Sequence, residues 1–479
     1  MEDDRGAGGD RHHPLAAPLQ SHIDAIGWRP FHFLLALALG VVLMADGAET
    51  LCVVFLIKAL EVEWHITPLQ QQLLGSIVYL GYLVGSLVVG PLADTLGRLP
   101  PLKLFSGLLV VVSVASAFAP NFVVIATLRC LSGVCIGAMV PIALTLFSDF
   151  APAAHRGKVT VVLLAFFSIG EVACAIACYA VMMPTFEEAS SGSWRRFVAL
   201  SAVLPALALC LALCWIPESP AFLVQRGRLR EATAVLKRVS RSNGRRRRRR
   251  QRQQQQGEHA DDERQLLSLE PAAASPRSAA PLRRSRCACC ALCAVFIGQW
   301  ALNFIHAVVF YGMIFITPLS FARATTAARG EPSNIAIDAL AAALVEIPST
   351  LAVFLLIDCV SRRKLIAANL LLASAASAIA VATSATSTFI VAICAAKFFV
   401  TSSFNVLNVW TPESFEDGVR STGTSSSLTF ARLGAIAAPI GAMVLLDIGL
   451  KIPYIAIFVC TTLGVAIAGA AFAKEASVG

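Results

Sequence analysis

GPLADTLGR, at residues 90–98, places an acid and a base, Asp94 and Arg98, four residues apart between two apolar runs. At a helix end that spacing brings the two charges to one face. The same pair recurs as Asp358 and Arg362, displaced by 264 residues. At the same offset Asp149 and Arg156 map onto Glu413 and Arg420, while Phe166, Ile169 and Gly170 map onto Phe430, Leu433 and Gly434. In each half the two acids stand 55 residues apart. One such match is weak, because charges at helix ends are common. Several at a single offset indicate an internal duplication.

The duplicated unit is apolar. The 479 residues are 57% apolar and 14% charged, with a mean hydropathy of +0.71. Soluble domains have roughly 45–50% apolar and about 25% charged residues, so soluble, disordered and disulfide-stapled secreted classes are all excluded. Twelve apolar segments stand out: 30–57, 72–93, 102–119, 122–147, 159–183, 196–216, 288–316, 335–357, 365–384, 388–410, 424–446 and 452–473. Each is long enough for a helix, the open-chain element that satisfies its own backbone in lipid. The expected fold is therefore an all-α membrane protein of twelve transmembrane helices in two pseudo-symmetric six-helix bundles. Its parts are a disordered cytosolic N-terminus (1–28), a first bundle (29–216), a basic cytosolic loop (217–287), a second bundle (288–473) and a cytosolic tail (474–479). The basic loops around Arg98, Arg156, Arg226, Arg284, Arg362 and Arg420 fall on one side, which predicts that both termini are cytosolic. No secretory signal precedes the first span. The 14 cysteines lie mostly in apolar runs, so no disulfides are expected.

GPLADTLGR resembles the signature loop of the major facilitator superfamily, and Arg129 followed by Gly133 and Gly137 is similar to its span-four pattern. IPESPAFL at 216–223 resembles the segment after span six in sugar and organic-ion members. TPESFEDGVRSTG at 411–423 and FARLGAIAAP at 430–439 resemble the group containing the synaptic-vesicle glycoproteins, their relatives and nicotinate-type carriers. The resemblance covers about residues 30–473 and implies alternating access around a mid-membrane site. It implies a gating latch made by Asp94, Gly97, Arg98, Asp149, Arg156, Asp358, Arg362, Glu413 and Arg420. Two departures stand out: Ser361 replaces the expected glycine, and the proline usual before Arg420 is absent.

Charges inside the spans point to chemistry, since an ionised carboxylate mid-membrane costs at least about 2.5–3.5 kcal/mol. Asp46 and Glu49 are three residues apart in span one, a spacing read as one shared face. ADGAE at 45–49 resembles the Asp-Gly-x-acid pattern of aromatic-acid/proton symporters, which implies proton coupling through Asp46 and Glu49. Glu171 is a further proton-coupling candidate, and Glu346 a weaker carboxylate. Arg432 is the leading ligand for a substrate anion, because a guanidinium grips a carboxylate with two parallel bonds. Lys397 and Arg129 are the other cations within spans, and Arg129 can equally pair with an acid. Gln299, Asn303 and His306 form a polar stripe in span seven, expected to line the cavity, with interhelical bonding as the alternative.

In the central loop, six arginines at 245–250 precede a glutamine-rich tract. This run is expected to touch anionic lipid rather than nucleic acid, and 226–239 has the spacing of amphipathic helices. DERQLL at 262–267, with Asp262, Leu266 and Leu267, matches an acidic-dileucine signal read by clathrin adaptors, so the expected membrane is the plasma membrane or, where this signal acts, an endosomal or lysosome-like vesicle. Cys287, Cys289, Cys290 and Cys293 suit acylation better than a zinc cage. No Walker loop, nucleophile–base pair or metal motif occurs, so neither an enzyme nor a cofactor is expected. The sequence thus predicts a monomeric secondary transporter of a small organic solute, specifically a proton symporter of a carboxylate-type anion. A sugar or organic-cation facilitator, and a non-transporting vesicle or sensor protein, remain open alternatives.

Overall fold

The computed structural model describes residues 16–152, 155–182, 193–241, 286–329, 334–415 and 419–475. The secondary structure of these residues is helical throughout. The first half contains α1 (Ala16–Ile26), α2 (Pro30–Trp64), α3 (Pro68–Leu96), α4 (Leu99–Ser116), α5 (Phe122–Phe150), α6 (Arg156–Val181), α7 (Ser193–Leu200) and α8 (Val203–Cys214). Two short helices follow, α9 (Pro220–Gln225) and α10 (Leu229–Arg241). The second half contains α11 (Arg286–Arg329), α12 (Ile335–Leu344), α13 (Glu346–Leu356), α14 (Arg362–Ala382), α15 (Thr386–Glu413), α16 (Arg420–Ile448) and α17 (Ile452–Glu475). Among the described residues, 11 helical stretches are long and apolar enough to cross a membrane, with α7–α8 and α12–α13 counting as one each. The twelfth expected span is α17.

Helix starts follow local chemistry. Thr67 caps α3 in a capping box with Gln70, and Asn121 caps α5 by accepting from the Val124 amide at 3.0 Å. Two spans are broken, and proline explains both. Its ring clashes with the carbonyl four residues back: Pro205 disrupts the helix at Ser201, and Pro348 at Leu344, where α12 ends. Both breaks fall beside buried acids, as described below.

Backbones approach closely where glycines face them. Along the α3–α5 seam, a Cβ on Gly81 or Gly85 would strike the Cys130 or Val134 carbonyl, and one on Gly133 or Gly137 the Val78 or Tyr82 carbonyl. Gly170 of α6 rests against the Met44 carbonyl of α2, and its repeat partner Gly434 of α16 against the Phe304 carbonyl of α11. The duplicated glycine does the same packing job in each half. Between bundles, α3 meets α16, and α6 meets α12, α13 and α15.

One expectation needs correction. The N-terminal segment is not wholly disordered, because residues 16–26 form α1. Leu19, Ile23 and Ile26 recur at helical spacing and pack on Leu223, Val224, Ala232 and Leu236 of α9 and α10. The basic loop accordingly begins as structure: α10 is the amphipathic helix expected at 226–239. The six arginines at 245–250, the Asp262–Leu267 sorting pattern, and the side chains of Cys287, Cys289, Cys290 and Arg420 lie outside the described residues.

Candidate functional site

Four helices bring the central polar group together near their midpoints. Asp46 of α2 accepts a hydrogen bond from the Tyr82 hydroxyl of α3 at 3.1 Å. The guanidinium of Arg432, on α16, lies over the Tyr82 ring at 3.8 Å from its centroid. Its Nη1 donates to the Tyr311 hydroxyl of α11 at 3.2 Å. Arg432 and Asp46 also interact electrostatically, so the cation of the second bundle faces the acid of the first. Arg432 is only half-buried, whereas Asp46 and Tyr82 are buried. An arginine has five N–H donors, and among the described residues one hydrogen bond from it is seen.

Aromatic rings surround this pair. Tyr79 packs on Tyr311 with centroids 4.8 Å apart, Phe310 stacks on Phe404 at 4.2 Å, and Phe167 meets Phe310 at 6.0 Å. Two of these contacts cross between the bundles. Three of the chain's 5 tyrosines, Tyr79, Tyr82 and Tyr311, gather here. That concentration was the available signal for Tyr79 and Tyr82, which the reading of buried charge alone passes over.

Glu49 does not share this site. Three residues along a helix amount to about 300°, which leaves an offset of about 60°. That offset suffices to turn Glu49 into the first bundle. There it pairs with Arg129 of α5 at 2.6 Å and accepts from Ser113 at 3.2 Å and Ser201 at 2.8 Å. Ser201 sits in the proline break between α7 and α8, where its own carbonyl is released from the helix ladder. Arg129 also donates to Ser116 at 2.6 Å and is 0% exposed. The substrate-ligand expectation for Arg129 is therefore corrected: its charge is neutralised by Glu49, away from the interface.

The span-seven stripe is corrected in the same way. Asn303 donates to the Gln299 carbonyl at 2.9 Å and to Thr411 at 3.3 Å. His306 bonds the Leu302 carbonyl at 2.9 Å and Ser403 of α15 at 2.8 Å. All three stripe residues are buried; Asn303 and His306 tie α11 to α15 as interhelical bonds rather than cavity lining, while Gln299 accepts from Asn303 on its own helix. Lys397 likewise has a protein partner: it pairs with Glu346 at 3.0 Å. Glu171 stands beside that pair, across the bundle interface.

The charged loops form two unequal clusters at one end of the molecule. In the first half Asp94 and Arg98 lie 3.3 Å apart. Glu218, which was given no role from sequence, accepts from the backbone amides of Arg98 at 2.9 Å and Leu99 at 3.1 Å. Asp149 accepts from Ser219 at 2.5 Å and interacts with Arg98 and Arg156. Gly97 has φ 98°, and a Cβ there would meet Glu218 at 2.6 Å. In the second half Arg362 reaches Glu413 at 3.2 Å and Asp358 at 3.9 Å. Asp358 also bridges to Lys158 of the first bundle at 2.8 Å. Ser361 has φ −59°, an ordinary backbone conformation, so this half does not use the left-handed turn.

Two duplicated helical bundles closing around a charged, ring-lined centre define a multi-pass membrane transporter. Residues 46–477 match the family model described as "Sugar (and other) transporter", and the chain belongs to that family, within the major facilitator superfamily. It is 26% identical over 445 residues to a synaptic vesicle 2-related protein of Xenopus laevis, covering 90% of this chain and 76% of that protein. To synaptic vesicle glycoprotein 2A of Rattus norvegicus it is 35% identical over 237 residues, 48% of this chain and 32% of that one. Among solved structures, the partially occluded inward-open form of the xylose transporter XylE from E. coli superposes with a TM-score of 0.68 at 13% identity, covering 91% of this chain and 98% of that one. This last likeness establishes the fold.

Proposed function

We propose that the chain carries a small organic anion of the carboxylate type by alternating access, coupled to protons. The observation that carries this reading is the Arg432 guanidinium, held between the Tyr82 ring and the Tyr311 hydroxyl at the bundle interface. A planar guanidinium with unused donors suits a carboxylate, and the rings around it suit a flat apolar body. Asp46 is the proton acceptor nearest the bound anion. When an anion takes over Arg432, Asp46 loses its electrostatic partner and a proton replaces it. Glu49 remains a proton-coupling candidate, acting through Arg129 rather than at the anion.

The loops at 94–98 and 358–362 serve as the cytosolic gate, with both termini on that side. Asp94, Gly97, Arg98, Asp149, Arg156, Asp358, Arg362, Glu413 and Arg420 form its two halves. Lys158 is added to them, because its bridge to Asp358 joins the bundles directly. The synaptic vesicle 2-related relatives support placement in a vesicle membrane.

A thermal-shift screen of purified protein against carboxylates, sugars and organic cations tests the ligand class. Carboxylates should stabilise the wild type and leave Arg432→Gln unmoved. Stabilisation by sugars or cations instead would overturn the anion assignment. For coupling, uptake of a carboxylate hit into proteoliposomes should rise with an inward proton gradient and lose that response in Asp46→Asn. Uptake indifferent to both would overturn the symport.

A further inference from the structure

A second buried charge cluster spans the bundle interface beside the anion site. Lys397 of α15 and Glu346 of α13 make an ion pair within the second bundle. Ser168 of α6, in the first bundle, donates to the other oxygen of Glu346 at 2.8 Å. Glu171, one turn further along α6, faces the same carboxyl group. Glu346 is 0%, Glu171 1% and Lys397 3% exposed. Pro348 ends α12 at Leu344 and so sets Glu346 at the first position of α13, where a helix N-terminus favours a carboxylate.

The charges do not balance if every group is ionised. Two carboxylates and one ammonium leave a net −1 in a site with almost no solvent contact, which is costly. One of the two acids therefore carries a proton. The partners decide which. Glu346 has Lys397 and Ser168 to stabilise a negative charge. Glu171 Oε1 is buried and has no hydrogen-bond partner among the described residues. A lone carbonyl oxygen tolerates that position better than half of a carboxylate does.

The geometry points to a proton-binding site in which Glu171 and Glu346 share one exchangeable proton across the bundle interface, with Lys397 holding the cluster neutral. The remaining titratable groups facing it are Asp46 from α2, Tyr79 from α3, Tyr311 from α11, Cys174 on α6 and Cys394 on α15. Parting α6 from α13 separates the two carboxyl groups. The Glu171 O–H bond then ionises to water, and the cluster passes from net zero to −1. Return of a proton from the opposite face restores it. The use of this cycle in transport rests on the proton-coupled reading above, but the shared proton does not.

Infrared difference spectroscopy of the purified full chain near neutral pH separates the two. Wild type should show a protonated-carboxyl carbonyl band that shifts in deuterated water. Glu171→Gln and Glu346→Gln should each lose it, because the remaining acid then pairs with Lys397 as a carboxylate. Asp46→Asn should keep it. Glutamine matches glutamate in size, and size-exclusion profiles report whether each variant folds; either folded variant suffices. A wild type without the band, or a band that survives in both variants, overturns the proposal. Loss of the band as expected, with uptake blind to a proton gradient, upholds the shared proton and removes only the coupled reading.

Discussion

Replacing Arg129 with methionine should destabilise the first bundle far more than removing any of the neutral partners around it. Arg129 is 0% and Glu49 2% exposed, and their charged atoms lie 2.6 Å apart. The variant leaves a buried carboxylate with Ser113 and Ser201. Breaking such a pair costs about 3–5 kcal/mol, a fall of roughly two to four orders of magnitude in the folding equilibrium. An interhelical hydrogen bond in a membrane bundle is worth about 0.6 kcal/mol, so Ser113→Ala and Ser201→Ala should each cost several-fold less. Arg129→Met with Glu49→Gln removes both charges at nearly constant volume and should recover most of the loss. The assay is thermal denaturation of detergent-solubilised protein, read as the surviving monodisperse peak on size exclusion. A double variant no more stable than Arg129→Met, or a Ser113→Ala loss equal to it, would refute the claim that charge pairing holds these helices.

Gly97→Ala should lower the same melting temperature, because a left-handed alanine costs about 1–2 kcal/mol and its Cβ would meet Glu218 at 2.6 Å. The repeat-equivalent change Ser361→Gly should cost at most about 1 kcal/mol, through unfolded-chain entropy alone. Lys158→Glu should slow cross-linking between cysteines introduced at Gly157 and Val409, which face each other across the bundles. Adding Asp358→Lys should restore the rate; the pair is partly exposed, so the shift is modest, under about fivefold. Leu19→Glu with Ile23→Glu should detach α1 from α10 and accelerate tryptic cleavage after Arg228, in the exposed turn between α9 and α10. An unchanged rate would mean that the apolar stripe does not hold this helix.

The duplicated fold was legible because its signals are local and repeated. Apolar runs give spans whatever surrounds them, and Asp94–Arg98 with Asp358–Arg362 fixes the offset. The site was legible only in part, because sequence marks which charges are buried and not which partners they find. Arg432 and Asp46 stand out by the cost of burying charge, and both contact Tyr82. Arg129 carries the same signal, and Asn303 and His306 that of a polar stripe, yet their partners lie inside one bundle. Asp46 and Glu49 show how fine the distinction is. Their spacing places both on one side of α2, but a bundle of close helices divides that side between two neighbours. Glu218 could not be assigned from spacing at all, since it clasps a turn 120 residues away in the chain. The left-handed Gly97 beside it was the only local hint of that clasp.

The buried charges sort by which bundle holds their partners, and that sorting carries a mechanical consequence. Glu49 and Arg129 both belong to the first bundle, so rigid rocking of the two bundles leaves their bond intact. Lys397 and Glu346 both belong to the second, and that pair also survives. Asp46 facing Arg432, and Glu171 facing Glu346, are divided between bundles and must be remade in every cycle. Each divided group therefore needs a substitute partner at the moment of separation, or it is left as an unpaired charge in an apolar interior. On the proposed reading a solute carboxylate serves for Arg432, and a proton for the acids. The first bundle's own pair then acts as a fixed reference, which keeps α2 rigid so that Asp46 moves only when the whole bundle moves. On this division, substitutions at Asp46, Arg432, Glu171 and Glu346 should alter the cycle, whereas those at Glu49, Arg129 and Lys397 should alter first the stability of a single bundle.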